Sequence, residues 1–155
     1  MRLLMCGDVV GRSGRKVVTD NLKKLRERYA IDFVIVNGEN AAGGFGITPK
    51  ICNELFDAGA DAITTGNHVW DQRDIIPHFD KEPRLLRPDN FPKGTPGKGI
   101  GQFTDARGRK IIIMHLMARL FMDPLDDPFA AVTEMLNTWR LGRNADAIVL
   151  DFHGE

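Results

Sequence analysis

The stretch DFVIVNGEN, which occupies residues 32–40, indicates the fold class of this chain. Its apolar run at 32–36 is followed by a glycine, and short runs of this kind are typical of strands buried on both faces. Such strands occur in parallel sheets that are covered by helices. The stretch therefore predicts one strand of an α/β fold.

Four further apolar runs, rich in Ile, Val and Leu, predict the other strands. They lie at residues 2–6, 61–65, 110–117 and 146–151. Amphipathic stretches separate them, and the order strand, helix, strand, helix, strand implies parallel strands joined by right-handed crossovers. From Pro83 to Gly101 the chain has four prolines and four glycines, which predicts an irregular surface segment.

Three sets of start signals predict the helices. Ser13 is available to cap the first helix, and the pair Thr48-Pro49 begins a second helix that Gly59 ends. The pair Asp127-Pro128 begins the third helix. The apolar residues expected to share one face of the third helix are Phe129, Val132, Met135, Leu136 and Trp139.

Length and composition predict a single globular domain over residues 1–155. Lys plus Arg equals Asp plus Glu at 21 each, so no net charge would attract bulk nucleic acid or a membrane, whereas a small phosphate ligand remains compatible. Cys6 and Cys52 are too few for a disulfide framework and predict buried thiols in a reducing compartment. The short apolar opening before Asp8 is too short for a signal peptide or a membrane span, which favours a cytoplasmic location.

Polar residues follow four of the predicted strands, three times directly after a glycine. The groups are Gly7-Asp8-Val9, Gly38-Glu39-Asn40, Gly66-Asn67-His68, and Asp151, His153 and Glu155 in DFHGE. Because the carboxyl ends of parallel strands meet at one edge of a sheet, these groups are expected to converge. The glycines would let the backbone approach a ligand closely.

The converging side chains include carboxylates, amides and imidazoles but no cation, which predicts a metal site. Mixed oxygen and nitrogen ligands suit Mn, Fe or Zn better than Ca or Mg. Taken singly, Asp8 and Asn67 are also compatible with helix caps or turns. His68 in the phrase GNH favours a functional role, whereas His115 inside IIIMHLM indicates a core residue and His78 a surface residue.

Glycine-rich segments raise the separate question of a nucleotide-phosphate loop. GDVVGRSGRK, residues 7–16, matches neither the dinucleotide-binding motif nor the P-loop motif. Backbone N–H groups of Ser13-Gly14-Arg15 could still meet a phosphate at the start of a helix.

Six phrases together resemble one bacterial family. GDVVGRSGR, VNGENAAGGFGIT, GADAITTGNHVWD, RPDNFPKGTPGKG, PLDDPF and DFHGE occur in this order along the whole chain. They are similar to the YmdB-type metallophosphoesterases, which are described as cyclic-nucleotide phosphodiesterases. The resemblance implies a metallophosphatase-like four-layer α/β/β/α sandwich with a dinuclear metal site at the strand ends, present here only in part.

The resemblance also implies roles for individual residues. Asp8 and Asn40 would bind one metal ion, Asn67 and His153 the other, and Glu39 both. His68 would be the proton donor. The general metallophosphatase pattern begins D-x-H, whereas this chain has Asp8-Val9-Val10, so one usual histidine ligand is absent and the glutamate and asparagine of the ENA phrase take its place.

Family members continue beyond the DFH phrase and supply a GTHTH-like segment whose two histidines complete the metal shells. The chain ends at Glu155 and corresponds to about the N-terminal three fifths of the family. We therefore expect a single metallophosphoesterase domain that is truncated at its C-terminal end.

The function expected first is a phosphodiesterase that hydrolyses 2′,3′-cyclic nucleotides or related phosphate esters. Two Fe or Mn ions, with Zn also suitable, would hold a bridging hydroxide for in-line attack, and His68 would protonate the leaving oxygen. The alternatives are a non-catalytic ligand-binding or regulatory module of the same fold and a phosphomonoesterase or nucleotidase. No residue identifies a base-binding pocket, and a homo-oligomer is compatible with the sequence.

Overall fold

Two β-sheets and three α-helices make up residues 1–154, the part of the chain that this computed structural model describes. The strands are β1 (Leu3–Cys6), β2 (Phe33–Asn37), β3 (Ala62–Thr64), β4 (Leu85–Leu86), β5 (Ile100–Thr104), β6 (Lys110–Met117) and β7 (Ala147–His153). The helices are α1 (Gly11–Tyr29), α2 (Pro49–Ala58) and α3 (Pro128–Thr138), and a short 3₁₀ helix spans Arg73–His78. No helix within residues 1–154 is both long enough and apolar enough to cross a bilayer.

The first sheet is wholly parallel and has the strand order β1-β2-β3-β4. The second has the order β5-β6-β7, in which β5 runs antiparallel to β6 and β7 runs parallel to it. The carboxyl ends of β1, β2 and β3 therefore lie along one edge of the first sheet, as the sequence predicts.

The sheets stack face to face, with α1 and α2 on the outer side of the first and α3 on the outer side of the second. Strand β2 shows why its sequence lacks alternation: Val34 and Val36 pack towards α1 and α2, while Phe33 and Ile35 face the second sheet. Strand β6 contributes Ile113 to the layer between the sheets, and its other face packs against α3. The expected α/β/β/α sandwich and the α/β fold class are thus confirmed.

Two strands lie inside the segment Pro83–Gly101 or begin there, and Leu85, Leu86 and Asn90 are buried, so the expectation of an irregular surface segment is wrong. Strand β4 pairs with β3 through only two residues, and β5 begins at Ile100 and pairs with β6. Strand β4 takes its extended form from pairing with β3, and β5 from its antiparallel hairpin with β6, and runs this short carry no clear periodic signal.

The start of α1 differs from expectation because the backbone takes the place of a side-chain cap. The helix begins at Gly11, and Val10 at the cap position makes no side-chain cap bond, so the cap expected at Ser13 is wrong. The Gly11 N–H instead donates to Asn40 O at 2.9 Å, and the Gly14 N–H donates to Val10 O at 3.1 Å. The Gly14 amide is therefore already used and does not support the phosphate site considered for residues 13–15.

Helices α2 and α3 begin where the sequence predicts. Thr48 caps α2 and Gly59 ends it with a φ of 112°, a conformation that favours glycine, while Asp127 caps α3. The apolar face expected for α3 is only partly correct, since Phe129 is 71% exposed. Of the five residues expected on that face, those that pack on the second sheet are Val132, Met135 and Trp139.

Replacing Ile113 by alanine is expected to lower the free energy of unfolding by about 2–5 kcal/mol. The Ile113 side chain is wholly buried between the two sheets, where neither sheet can close the resulting cavity without breaking strand pairing. Denaturant unfolding measures the change. The control is Val17→Ala on the exposed face of α1, which should shift stability by less than about 0.5 kcal/mol. Equal losses in both variants would contradict the packing described here.

Candidate metal centre

Five of the six residues that the sequence singles out make one continuous set of contacts at the carboxyl ends of β1, β2, β3 and β7. We call this set the edge cluster. Its members, in order of contact, are Asp8, Asn40, Glu39, His153 and Asn67.

Glu39 lies at the middle of the edge cluster. Asn40 Nδ2 donates to Glu39 Oε1 at 3.1 Å and to Asp8 Oδ1 at 2.9 Å. On the other side, His153 Nε2 lies 3.1 Å from Glu39 Oε2 and 2.8 Å from Asn67 Oδ1. The two oxygens of one buried carboxylate thus serve two separate halves of the cluster.

Asn37, which was not among the residues predicted from the sequence, holds the Glu39 backbone in place. Asn37 is buried at the end of β2, where its Oδ1 accepts from the Glu39 N–H at 3.2 Å. Its Nδ2 donates to Thr65 O at 2.8 Å, which ties the loop after β2 to the loop after β3. The signal that could have identified it is an amide side chain at the end of an otherwise apolar run.

The glycines that precede the polar groups are not equivalent. A Cβ on Gly66 would overlap the Glu39 carboxylate, lying 2.6 Å from Cδ, and would come within 2.8 Å of His153 Cε1. A Cβ on Gly38 would lie 2.7 Å from Ile47 Cδ1, whereas one on Gly7 would meet nothing within 4 Å. Close approach therefore explains Gly66 and Gly38 but not Gly7.

His68 lies beside the edge cluster and has different partners. Its Nδ1 is 2.8 Å from Asp71 Oδ2, and its ring meets the Phe45 ring edge-on at a centroid distance of 5.0 Å. The His68 side chain remains 29% exposed. Neither partner was predicted from the sequence, although an aspartate three residues after a functional histidine is the signal that could have indicated Asp71.

The other residues weighed in the sequence divide between core and surface. His115 is wholly buried in β6, as expected, with Nδ1 3.2 Å from Asp151 O, and burial lowers the pKa of this imidazole. The Asp151 carboxylate faces His115 at 3.4 Å and is not part of the edge cluster. His78 is half-buried, with its Nε2 inside the protein, so the expectation of a surface residue is only partly confirmed. Glu155 lies outside the described residues.

Cys52 is buried and Cys6 half-buried, and both are free thiols. Burial raises the pKa of the Cys52 thiol to about 12 and also raises the pKa of the Cys6 thiol. Both thiols are therefore in their protonated form at neutral pH, and the buried position predicted from the sequence is confirmed for Cys52 but only partly for Cys6.

The donor set fits metal ions only if the two amides take part. Within residues 1–154 no three His, Cys, Asp or Glu side chains are grouped as metal ligands by themselves. The edge cluster combines the carboxylates of Asp8 and Glu39 and the imidazole of His153 with two amides. Among the described residues, the buried Asn40 Oδ1 has no hydrogen-bond partner, which leaves an amide oxygen able to accept a cation.

Comparisons with known proteins place this chain in a family. The family model described as YmdB-like protein matches residues 4–155. The chain is 46% identical over its whole length to the 2′,3′-cyclic-nucleotide 2′-phosphodiesterase of Bacillus subtilis and covers 58% of that protein.

Two solved structures are also similar. A hypothetical protein from Thermus thermophilus superimposes with a TM-score of 0.91 at 39% identity, covering 100% of this chain and 58% of the other. A phosphatase from Mycoplasma pneumoniae gives 0.88 at 32% identity, covering 99% of this chain and 55% of the other. The chain thus spans less than two thirds of the length of these relatives. It belongs to the YmdB-like protein family.

Proposed function

We propose that the protein containing this chain is a metal-dependent phosphodiesterase that hydrolyses 2′,3′-cyclic nucleotides or related phosphate esters. The observation that carries the proposal is the position of Glu39, whose two oxygens face separate sets of donors at 3.1 Å on either side. The similarity of the chain to a Bacillus subtilis protein named for this activity supports the choice of substrate.

The edge cluster would hold two metal ions. Asp8 and Asn40 would bind one, Asn67 and His153 the other, and Glu39 both, in keeping with its place between the two halves. Mixed carboxylate, amide and imidazole donors suit Fe or Mn, and also Zn. When bound, such ions supply Lewis acidity and neutralise the negative charge of the phosphate.

The residues of this chain then orient the substrate and move a proton. A water molecule attacks phosphorus, one P–O bond of the cyclic phosphate breaks, and the ring opens to a monoester. The leaving ribose oxygen takes its proton from His68 Nε2, and the proton that the attacking water loses returns to His68 by way of solvent. Asp71 Oδ2 lies 2.8 Å from His68 Nδ1 and accepts its hydrogen, so hydrogen stays on Nδ1 and Nε2 is the nitrogen that gives up a proton.

The expected partners follow from this activity and remain predictions. They are a small phosphate ester such as a cyclic nucleotide, with neither bulk nucleic acid nor a membrane, in a cytoplasmic protein. Exposed apolar side chains on the edge strands, such as Met5 on β1 and Leu150 on β7, are compatible with a homo-oligomer.

The test is to assay the intact natural protein while its metal content is measured. Hydrolysis of 2′,3′-cyclic AMP is compared with hydrolysis of the monoester 3′-AMP at increasing Mn concentration. The proposal requires metal in the purified protein and faster turnover of the cyclic diester. Faster turnover of the monoester would indicate a phosphomonoesterase or nucleotidase. Absence of turnover at every Mn concentration would indicate a non-catalytic module.

A further inference from the structure

An exposed aromatic ring lies next to the histidine proposed as proton donor. Phe45 is 58% exposed, and its ring packs edge-on against the His68 ring at 5.0 Å. Holding an apolar ring of this size in water is unfavourable unless something covers it. Because the ring lies beside His68, a substrate whose leaving oxygen meets His68 would be close enough to cover it.

The loop that carries Phe45 is fixed to the site on both sides. Ala42 N–H donates to Gly46 O at 2.8 Å, and Gly44 N–H donates to Asn40 O at 3.0 Å, which closes the loop onto the edge cluster. Gln72 Nε2 donates to Phe45 O at 2.9 Å, which fastens the loop to the segment that follows His68. These bonds hold the aromatic ring at a constant position relative to the proton donor.

The turn in this loop depends on glycine. Gly43, Gly44 and Gly46 have φ values of 74°, 107° and 75°, in the region that favours glycine. A Cβ on Gly46 would also lie 3.1 Å from His68 O, so the loop packs directly against the backbone of the proton donor. The sequence is thus specialised to present one large side chain at this point.

We propose that Phe45 is the platform on which the substrate's nucleobase stacks. The inference rests on the proposed function. In a 2′,3′-cyclic nucleotide the base is attached to the ribose carbon next to the one that carries the 2′ oxygen. A base therefore lies within one sugar of the oxygen that His68 protonates, which is where Phe45 lies. Stacking on an aromatic ring tolerates all bases, because every base has a π face.

The experiment compares ligands with and without a base in the intact protein, at equal Mn content. Calorimetry measures the Kd of adenosine 3′-monophosphate and of abasic ribose 3-phosphate for wild type, Phe45→Ala and Phe45→Trp. The alanine variant should bind the nucleotide about fivefold more weakly or worse, and should bind the abasic ligand like wild type. The tryptophan variant should retain nucleotide binding. The control is Tyr29→Ala, an exposed aromatic at the far end of α1, which should change neither Kd.

Several results would overturn this role for Phe45. Equal weakening of both ligands would show that Phe45 supports the loop or the metal shell. Unchanged binding in Phe45→Ala, or loss of nucleotide binding in Phe45→Trp, would show that stacking is absent and that something else covers the ring. If the wild-type protein hydrolyses no diester, the proposed function fails, but the binding comparison still decides the role of Phe45.

Discussion

The variant Gly66→Ala should reduce kcat/KM for the cyclic diester by at least about 100-fold, because displacing catalytic groups by about 1 Å has effects of that size. The new Cβ would occupy the space of the Glu39 carboxylate and would press on the His153 ring. Both side chains would have to move, and Glu39 is the member that joins the two halves of the edge cluster. Metal content should fall together with turnover, and both are measured on the purified variant.

Gly7→Ala is the matched control for that experiment. Gly7 also precedes a polar residue at a strand end, but a Cβ there would meet nothing within 4 Å. This variant should keep the metal content and turnover of the wild type. Thermal unfolding of both variants separates a displaced cluster from a failure to fold. Similar losses of metal and of turnover in the two variants would contradict the claim that a Cβ at Gly66 displaces Glu39 and His153.

Removing the His68 imidazole should lower kcat by about 10²- to 10⁴-fold while the metal content stays that of the wild type. The reason is the position of His68 beside the edge cluster, where its Nδ1 contacts Asp71 rather than a cluster member. The measurement is kcat for 2′,3′-cyclic AMP together with elemental analysis of His68→Ala. Equal loss of kcat and of metal would show that His68 is itself a metal ligand.

The control for a missing histidine is His78→Ala. His78 lies at the end of the 3₁₀ helix and is half-buried. Its loss should lower stability at most, so kcat per folded molecule should match that of the wild type. A fall in kcat as large as that of His68→Ala would show that the assay reports general damage.

Much of the fold could be predicted from particular local patterns. The run at 32–36 lacks alternation because β2 is covered on both sides, and Thr48-Pro49 and Asp127-Pro128 begin helices through bonds to their own neighbours. Strand β4 and the start of β5 could not be predicted, because their extended form comes from pairing with β3 and β6.

The sequence by itself determined that Asp8, Glu39, Asn40 and Asn67 come together, since the parallel strands β1, β2 and β3 bring their carboxyl ends to one edge of the first sheet. Only the tertiary structure decided that His153 joins them from the second sheet, that Gly66 rather than Gly7 is crowded, and that Asp71 and Phe45 flank His68. The physical reason is distance along the chain. Periodicity and caps depend on bonds between near neighbours, whereas contacts such as that between Asn67 and His153 join residues 86 positions apart and depend on how the two sheets stack.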